Sequence, residues 1–433
     1  MSANLSRTEG DPVEGAAGSD APPAEGAVTV VDPRLLVRQQ GFKGYLDDFG
    51  RKVRSGELGS LPVVVGLIII AIVFQFQNSA YLGAENLNNL FVDATGTGLI
   101  AVGIVFVLIL GEIDLSVGSV SGVATAIFAV LNVNHGMAEW QALILAVLSG
   151  ALIGAFHGFF FARIGVPAFV VTLAGLLGWN GLMLQVLGSS GTINLDRDGL
   201  LSQITNYYFS DIAVAYGLAL LAVIAYFATS FLDSRRREAA GVPSRPLSEI
   251  VLRTVVVAVP SFLLAWLFNN FKGLPLAIIV FLVFVIGLDF VLRRTSYGRK
   301  VFALGGSVEA ARRAGINVVA IRVSVFTLSG TMAAIGGLFI ASQLNAANQS
   351  SGAGSLLMNA IAAAVIGGTS LFGGRGKTWS AVIGALVIQS IASGMQLQGI
   401  ASAVQYMITG AVLLAAVVID SVSRKTQKTA GRA

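Results

Sequence analysis

The stretch Ser296–Val319, SYGRKVFALGGSVEAARRAGINVV, is a polar, basic island between two long apolar runs. Inside it lies a short-helix signal. Ser307 can accept a hydrogen bond from an unpaired N–H at the helix start. Glu309 falls in the first turn, and Arg312 and Arg313 fall in the last, each sign suiting the helix dipole. Gly315 follows as the residue able to take the left-handed conformation and stop the helix. A full capping box would need Glu or Gln where Ala310 stands, with Ala311 beside it. A helix of about two turns is not stable alone in water. The expectation is that it protrudes from a membrane protein and docks into a cleft on a separate, energy-supplying subunit.

The flanks of this island set the class. The chain has 433 residues, 55% hydrophobic and 12% charged, against about 25% charged in an ordinary globular domain. Apolar runs near the 20 residues needed to cross about 30 Å of hydrocarbon recur along the chain. They are expected to be helices, not the alternating ten-residue strands of a barrel. The absence of cysteine removes disulfides and thiolate metal ligands, and two histidines argue against a structural zinc site. No metal or other cofactor is expected. The net charge of +5 would point to nucleic acid in a soluble protein. Here the basic residues cluster beside the apolar runs, which the positive-inside rule explains with membrane lipid and no nucleic acid.

Residues 1–33 are rich in Gly, Ala, Pro, Asp and Glu and are expected to be disordered. Residues 34–56 are basic with scattered apolar positions and suit an interfacial segment on the inner leaflet. The membrane domain is expected at 57–420, with a coupling loop at 293–319 and a basic tail at 421–433. About twelve spans are expected, near 61–76, 90–110, 115–131, 140–162, 166–187, 212–232, 250–268, 274–292, 320–342, 356–371, 381–395 and 404–419. With both termini cytoplasmic, nearly every Lys/Arg cluster falls on the inner side. Dropping one span would place either Arg235–Arg237 or Arg424–Lys428 outside. Among the 51 glycines, Gly150, Gly154, Gly158, Gly330, Gly336 and Gly337 are expected to allow close helix approach.

Between the second and third spans, Gly111–Ser119 (GEIDLSVGS) places two carboxylates beside apolar segments. One reading is a broken helix with Asp114, Ser116 and Ser119 on a translocation path. The other is an ordinary turn with Asp114 as N-cap of the third span. Gly373–Thr378 resembles the end of a phosphate-binding loop, but the first glycine of that motif would fall on Leu371. A basic turn is the better account, so any ATP used must be hydrolysed by another chain, and no catalytic residue is expected. Ser190 with a histidine base would make a protease, yet Ser190 lies in an external loop and His157 near an inner span end. His157 is expected to hydrogen-bond a neighbouring helix. The amides Asn180, Gln185, Asn359, Gln389 and Gln405, with Trp179 beside Asn180, suit a path for a neutral polyhydroxylated solute. No buried carboxylate pair near span centres points to ion coupling.

Three segments carry a resemblance: GTGLIAVGIVFVLILGEIDLSVGSVSG (96–122), GRKVFALGGSVEAARRAGINV (298–318) and IAAAVIGGTSLFGGRGKTWSAVIGALVIQSIASGMQ (361–396). They resemble the membrane permease subunits of ribose/xylose-type sugar ABC importers, the xylose type most of all. The resemblance covers about residues 60–420 and implies an all-α, Gly-rich polytopic bundle of the type II-like importer class. It implies a permease homodimer in a bacterial inner membrane, ATP-binding-cassette ATPase subunits and an extracytoplasmic sugar-binding protein. It makes Glu309-Ala310-Ala311 with Gly315 the ATPase-coupling segment, flanked by Ser307, Arg312 and Arg313. Two departures stand out. The Leu-Pro that often follows the coupling motif is missing, and Glu112 stands where Gly is usual. Residues 235–245 with the adjoining span look like an insertion relative to ribose-type members. The expected cargo is D-xylose, with ribose, another monosaccharide or a branched-chain amino acid as alternatives, and a free-standing secondary transporter as the rival mechanism.

Overall fold

The computed structural model describes residues 61–242 and 244–429. The segments 1–33 and 34–56, and residues 430–433 of the basic tail, lie outside the described residues. Among those described, nine helices are long and apolar enough to cross a membrane, and three further apolar helices are shorter. In chain order the long and short elements are α1 (Leu61–Gln77), α2 (Ala84–Ile109), α3 (Val117–Ala129), α4 (Glu139–Phe159) and α5 (Ala168–Leu187). After β1 (Thr192–Asn194), α6 (Leu200–Asn206) and β2 (Tyr208–Phe209) come α7 (Ile212–Ala239) and α8 (Leu247–Asn269). Next are β3 (Leu274–Pro275), α9 (Leu276–Arg294), α10 (Ser296–Gly306), α11 (Val308–Arg313) and α12 (Val318–Leu344). The chain closes with β4 (Ala346–Asn348), α13 (Leu356–Ile366), α14 (Thr378–Leu397) and α15 (Ser402–Thr429).

The core is α2, α4 and α12. Leu99–Ile109 of α2 is buried throughout, so this helix meets protein on every side. Small residues set the spacing, because association inside a membrane relies on close packing rather than on water exclusion. A Cβ added at Gly154 would lie 2.2 Å from the Phe326 carbonyl oxygen, and one at Gly330 would lie 2.2 Å from that of Gly150. The α4–α12 contact is thus backbone against backbone. Gly96 and Gly336 do the same for α2 against α12. The hairpin of α7 and α8 packs chiefly on itself and keeps most of its apolar surface open.

Several boundaries differ from the sequence reading, each for a local reason. α2 begins at Ala84, so part of the expected polar link is its first turns, with Glu85 favourably placed at the N-terminus. α7 continues to Ala239, through residues expected to be loop. Arg236 and Arg237 in its last turn complement the dipole, and Arg237 meets Asp233 one turn earlier at 3.5 Å. The tenth expected span is helical only to Ile366. Beyond it, Gly367 lies so close to Ser380 that a Cβ would meet its carbonyl oxygen at 1.8 Å, and the chain turns away. The expected external loop at 188–211 contains β1, α6 and β2. β1 pairs antiparallel with β4 and β2 with β3, tying that loop to the ends of α12 and α8.

Replacing Gly154 by Leu forces α4 and α12 apart. Overpacking of this kind costs about 1–3 kcal/mol, and the variant should show a lower thermal midpoint in detergent, whereas Gly217→Leu, at an open position on the α7–α8 hairpin, should not.

Candidate functional site

The basic island forms two helices rather than one. α10 is amphipathic, with Gly298, Val301 and Leu304 buried at three-residue spacing and the Thr295 hydroxyl accepting from the Gly298 N–H at 3.3 Å. Its last turn is clamped. A Cβ at Gly305 would lie 1.8 Å from the carbonyl oxygen of Ile109, the final residue of α2. That same carbonyl accepts from the Gly374 N–H at 2.8 Å. The glycines of the 373–376 turn therefore serve close contact with the foot of α2.

α11 follows. The Ser307 hydroxyl accepts from the Ala310 N–H at 3.2 Å, and Gly315 has φ +74°. Ala311 is buried, while the side chains of Glu309, Arg312 and Arg313 are 60%, 67% and 80% exposed. Glu309 pairs with Arg313 at 3.2 Å and Arg312 at 3.8 Å. These exposed pairs add little stability. What they provide is an ordered, charged knob at the foot of α12.

At residues 110–116 the chain leaves the helix within the bundle. α3 then runs on into a π-helical turn at Val130–Asn134, so that Val117–Asn134 forms one helical segment of 18 residues. Asp114 is 2% exposed. Its Oδ1 accepts from the Ser116 N–H at 2.9 Å and from the Ser116 hydroxyl at 2.6 Å. Its Oδ2 accepts from the Ser329 hydroxyl of α12 at 3.0 Å. The N-cap of α3 is Ser116 rather than Asp114, and Asp114 is buried beside it while Gly111 and Ile113 of the same segment are exposed.

The chain of bonds continues. Ser116 Oγ lies 3.2 Å from His157 Nδ1, and Trp179 Nε1 donates to His157 Nε2 at 2.8 Å. An indole N–H only donates, so Nε2 must accept and Nδ1 carries the proton. Every bond then points one way, from Trp179 through His157 and Ser116 to Asp114. Gly175 leaves the room for this, since a Cβ there would lie 2.4 Å from His157 Nε2. Nearby, Glu112 reaches Arg322 of α12 at 4.0 Å, and the Arg322 guanidinium stacks over Phe161 at 4.4 Å.

α5 packs on α3, α3 touches α13, and α13 packs on α15, with α3 itself almost wholly buried. α5 is mostly exposed, with Leu177 at 72%, and Gly178, Gly181 and Gly410 meet nothing within 4 Å. Trp179, Asn180 and Asn359 are half-buried in this row and Gln185 is exposed. Ser119 is instead buried, donating to the Leu176 carbonyl at 2.7 Å. Gln389 sits elsewhere, on α14, and donates to Asp93 of α2 at 3.2 Å. Asp114, Ser116 and Ser119 thus stand behind the row, not on its surface.

Sequence reasoning missed Asp93, Ser329 and Arg322. An ionisable residue just inside an apolar run was the available signal for Asp93 and Arg322. Nothing in the chain separates Ser329 from the other span serines, or pairs His157 with Trp179.

Comparison with known proteins places the chain. It belongs to the family described as "Branched-chain amino acid transport system / permease component", matched over residues 86–417. It is 36% identical over 374 residues to the xylose transport system permease protein XylH of Escherichia coli (strain K12), covering 86% of this chain and 94% of that one. It is 36% identical over 370 residues to XylH of Haemophilus influenzae, covering 84% and 98%. It is 30% identical over 367 residues to the ribose import permease protein RbsC of Bacillus subtilis, covering 84% and 94%. No solved structure matches the chain.

Replacing Asp114 by Leu strands the Ser116 and Ser329 donors, at about 1–3 kcal/mol for each buried group left unpaired. Asp114→Asn keeps an acceptor for Ser116, and the Ser329 hydroxyl can turn to accept from the amide. The thermal midpoint should fall sharply for Asp114→Leu and mildly for Asp114→Asn. Trp179→Phe should cost about 0.6–2 kcal/mol, the usual span of an interhelical bond.

Proposed function

We propose that this chain is the permease subunit of an ATP-binding-cassette importer that moves a monosaccharide, D-xylose in particular, across a bacterial inner membrane by alternating access. The observation that carries the cargo class is the row of α5, α3, α13 and α15. Residues 117–129, 168–187, 356–366 and 402–419 contain no charged side chain. Amides and an indole face suit neutral hydroxyls. A zwitterionic amino acid would leave its ammonium and carboxylate unpaired, which is costly out of water. The relatives the chain matches, xylose and ribose permeases, support the same cargo.

The path runs between two copies of the chain, each presenting the exposed faces of α5, α13 and α15, with Trp179, Asn180, Gln185 and Asn359 beside the solute. Both termini and the α10–α11 knob lie in the cytoplasm, because that arrangement keeps the basic clusters inside. The ATPase subunits grip α11 through Glu309, Arg312 and Arg313, with Ser307, Ala310, Ala311 and Gly315 fixing its shape. An extracytoplasmic sugar-binding protein delivers the solute at the other end. The 57–420 segment is the transport unit, and α7–α8 with its Arg235–Arg245 segment is an added lipid-facing hairpin.

ATP can drive the cycle only through a difference in affinity for the two permease states. The mechanical route is short. α11 joins the foot of α12, Gly305 abuts the end of α2, and Ser329 of α12 holds Asp114. A displacement of α11 therefore reaches His157 and Trp179 through packed atoms and directed hydrogen bonds.

Uptake of labelled xylose by vesicles holding the assembled transporter should be competed by excess xylose, not by leucine. Competition by leucine alone would contradict the cargo. Glu309→Lys should leave the ATPase active and cut its coupling to uptake by about tenfold or more, since it sets like charges beside Arg312 and Arg313. Unchanged uptake would remove α11 from the drive.

A further inference from the structure

At the end of the bundle opposite α11, a cavity of about 450 Å³ sinks into a single protomer. Its walls are the first turns of α2 and the last turns of α12 and α14, helices that do not form the α5–α3–α13–α15 row. The segment from α6 to β2 roofs it. That roof is fastened by a Thr205–Ser342 hydroxyl bond at 2.6 Å and by the β2–β3 pairing.

The lining is a set of pre-oriented polar side chains. Gln343 donates to the Val92 carbonyl at 2.8 Å, and Asn206 donates to that of Ser202 at 2.8 Å. Each thereby keeps its amide oxygen for the cavity. Asp93 receives Gln389 on Oδ2 at 3.2 Å and keeps Oδ1. Asn89, Gln396 and the Tyr208 hydroxyl add donors on the same surface. No Lys or Arg lines it.

We propose that this cavity is a binding site, one within each protomer, for a neutral polyhydroxylated ring of monosaccharide size. Asp93 Oδ1 accepts from its hydroxyls, and the amides of Asn89, Asn206, Gln343 and Gln396 bond around its rim. The inference rests on the sugar-transport reading and adds a second station to it, away from the face between protomers. The volume lies in the range of about 300–1,000 Å³ typical of small-molecule sites. Sugar hydroxyls both give and take hydrogen bonds, which matches a lining that mixes amide donors with carbonyl and carboxylate acceptors. A bare cation fits poorly. A hard ion gathers about 6–8 oxygens at 2.3–2.6 Å, and among the described residues no three His, Cys, Asp or Glu side chains group to hold one. A zwitterion would leave its carboxylate without a cationic partner.

The test uses the purified full-length permease in lipid nanodiscs, without binding protein. Saturation-transfer NMR and thermal shift are recorded with D-xylose, with leucine and with sodium chloride. Labelled xylose uptake by the complete transporter is measured beside them. D-Xylose should bind and raise the midpoint. Asp93→Leu, and separately Asn206→Leu on the roof, should weaken binding by about tenfold or more, as expected on losing a hydrogen bond to a charged or buried group. Two substitutions on separate elements guard against misfolding of either. Binding unchanged in both variants, or lost in Asn180→Leu and kept in these two, overturns the cavity site. So does an Asp93-dependent response to sodium and not to xylose. If the complete transporter takes up xylose while the cavity variants bind as wild type does, only this inference falls. If it takes up no xylose, the cargo reading itself falls.

Discussion

A peptide group in hydrocarbon must find its hydrogen-bond partner inside the protein, and at residues 110–116 this chain gives up the helix between α2 and α3, with Asp114 and Ser116 buried. The rest of the structure follows from how that gap is closed. Asp114 accepts the Ser116 N–H at the start of α3 and the Ser329 hydroxyl of α12 on its two oxygens. His157 and Trp179 extend the same network to α4 and α5. Four helices are thus joined at one carboxylate, and a buried network is stable only when all of its members are satisfied. Such a junction resists partial change and favours two discrete arrangements over continuous deformation. A transporter that alternates between two openings has use for that property.

Below the junction, glycine supplies rigidity of another kind. Gly305, Gly374 and the Ile109 carbonyl meet backbone to backbone, as do Gly154 with Phe326 and Gly330 with Gly150. No flexible side chain lies between these segments to absorb a displacement. The α10–α11 unit is therefore set directly on the foot of α2 and runs into α12, whose far end borders the polar cavity. One stiff helix connects the charged knob, the junction at Asp114 and the opposite end of the molecule.

The sequence disclosed the class of fold because long apolar runs and the basic residues beside them are local, additive signals. The caps of α11 were equally legible, since Ser307, Gly315 and the flanking charges act within one turn. The coarse order of about twelve apolar helices carries over to the nine long and three shorter ones. What the sequence hid is tertiary. α10 was missed because its three-residue apolar spacing runs over only eleven residues rich in glycine and charge. The tenth span was read too long because the close approach of Gly367 to Ser380 has no local signature. Asp93 was overlooked although a carboxylate inside an apolar run is visible in one dimension. Its meeting with Gln389, nearly three hundred residues on, is not.

Movement of α11 carries the drive from ATP into the bundle, and the natural absence of cysteine makes that movement measurable. A single cysteine placed at Arg312 and spin-labelled in the assembled transporter, which we propose holds two copies of this chain, gives the distance between their α11 helices. This distance should change between the nucleotide-free complex and the complex trapped with ATP, and the change should be lost in Glu309→Lys. One distance distribution in both states, in a preparation that still takes up sugar, would contradict that role of α11.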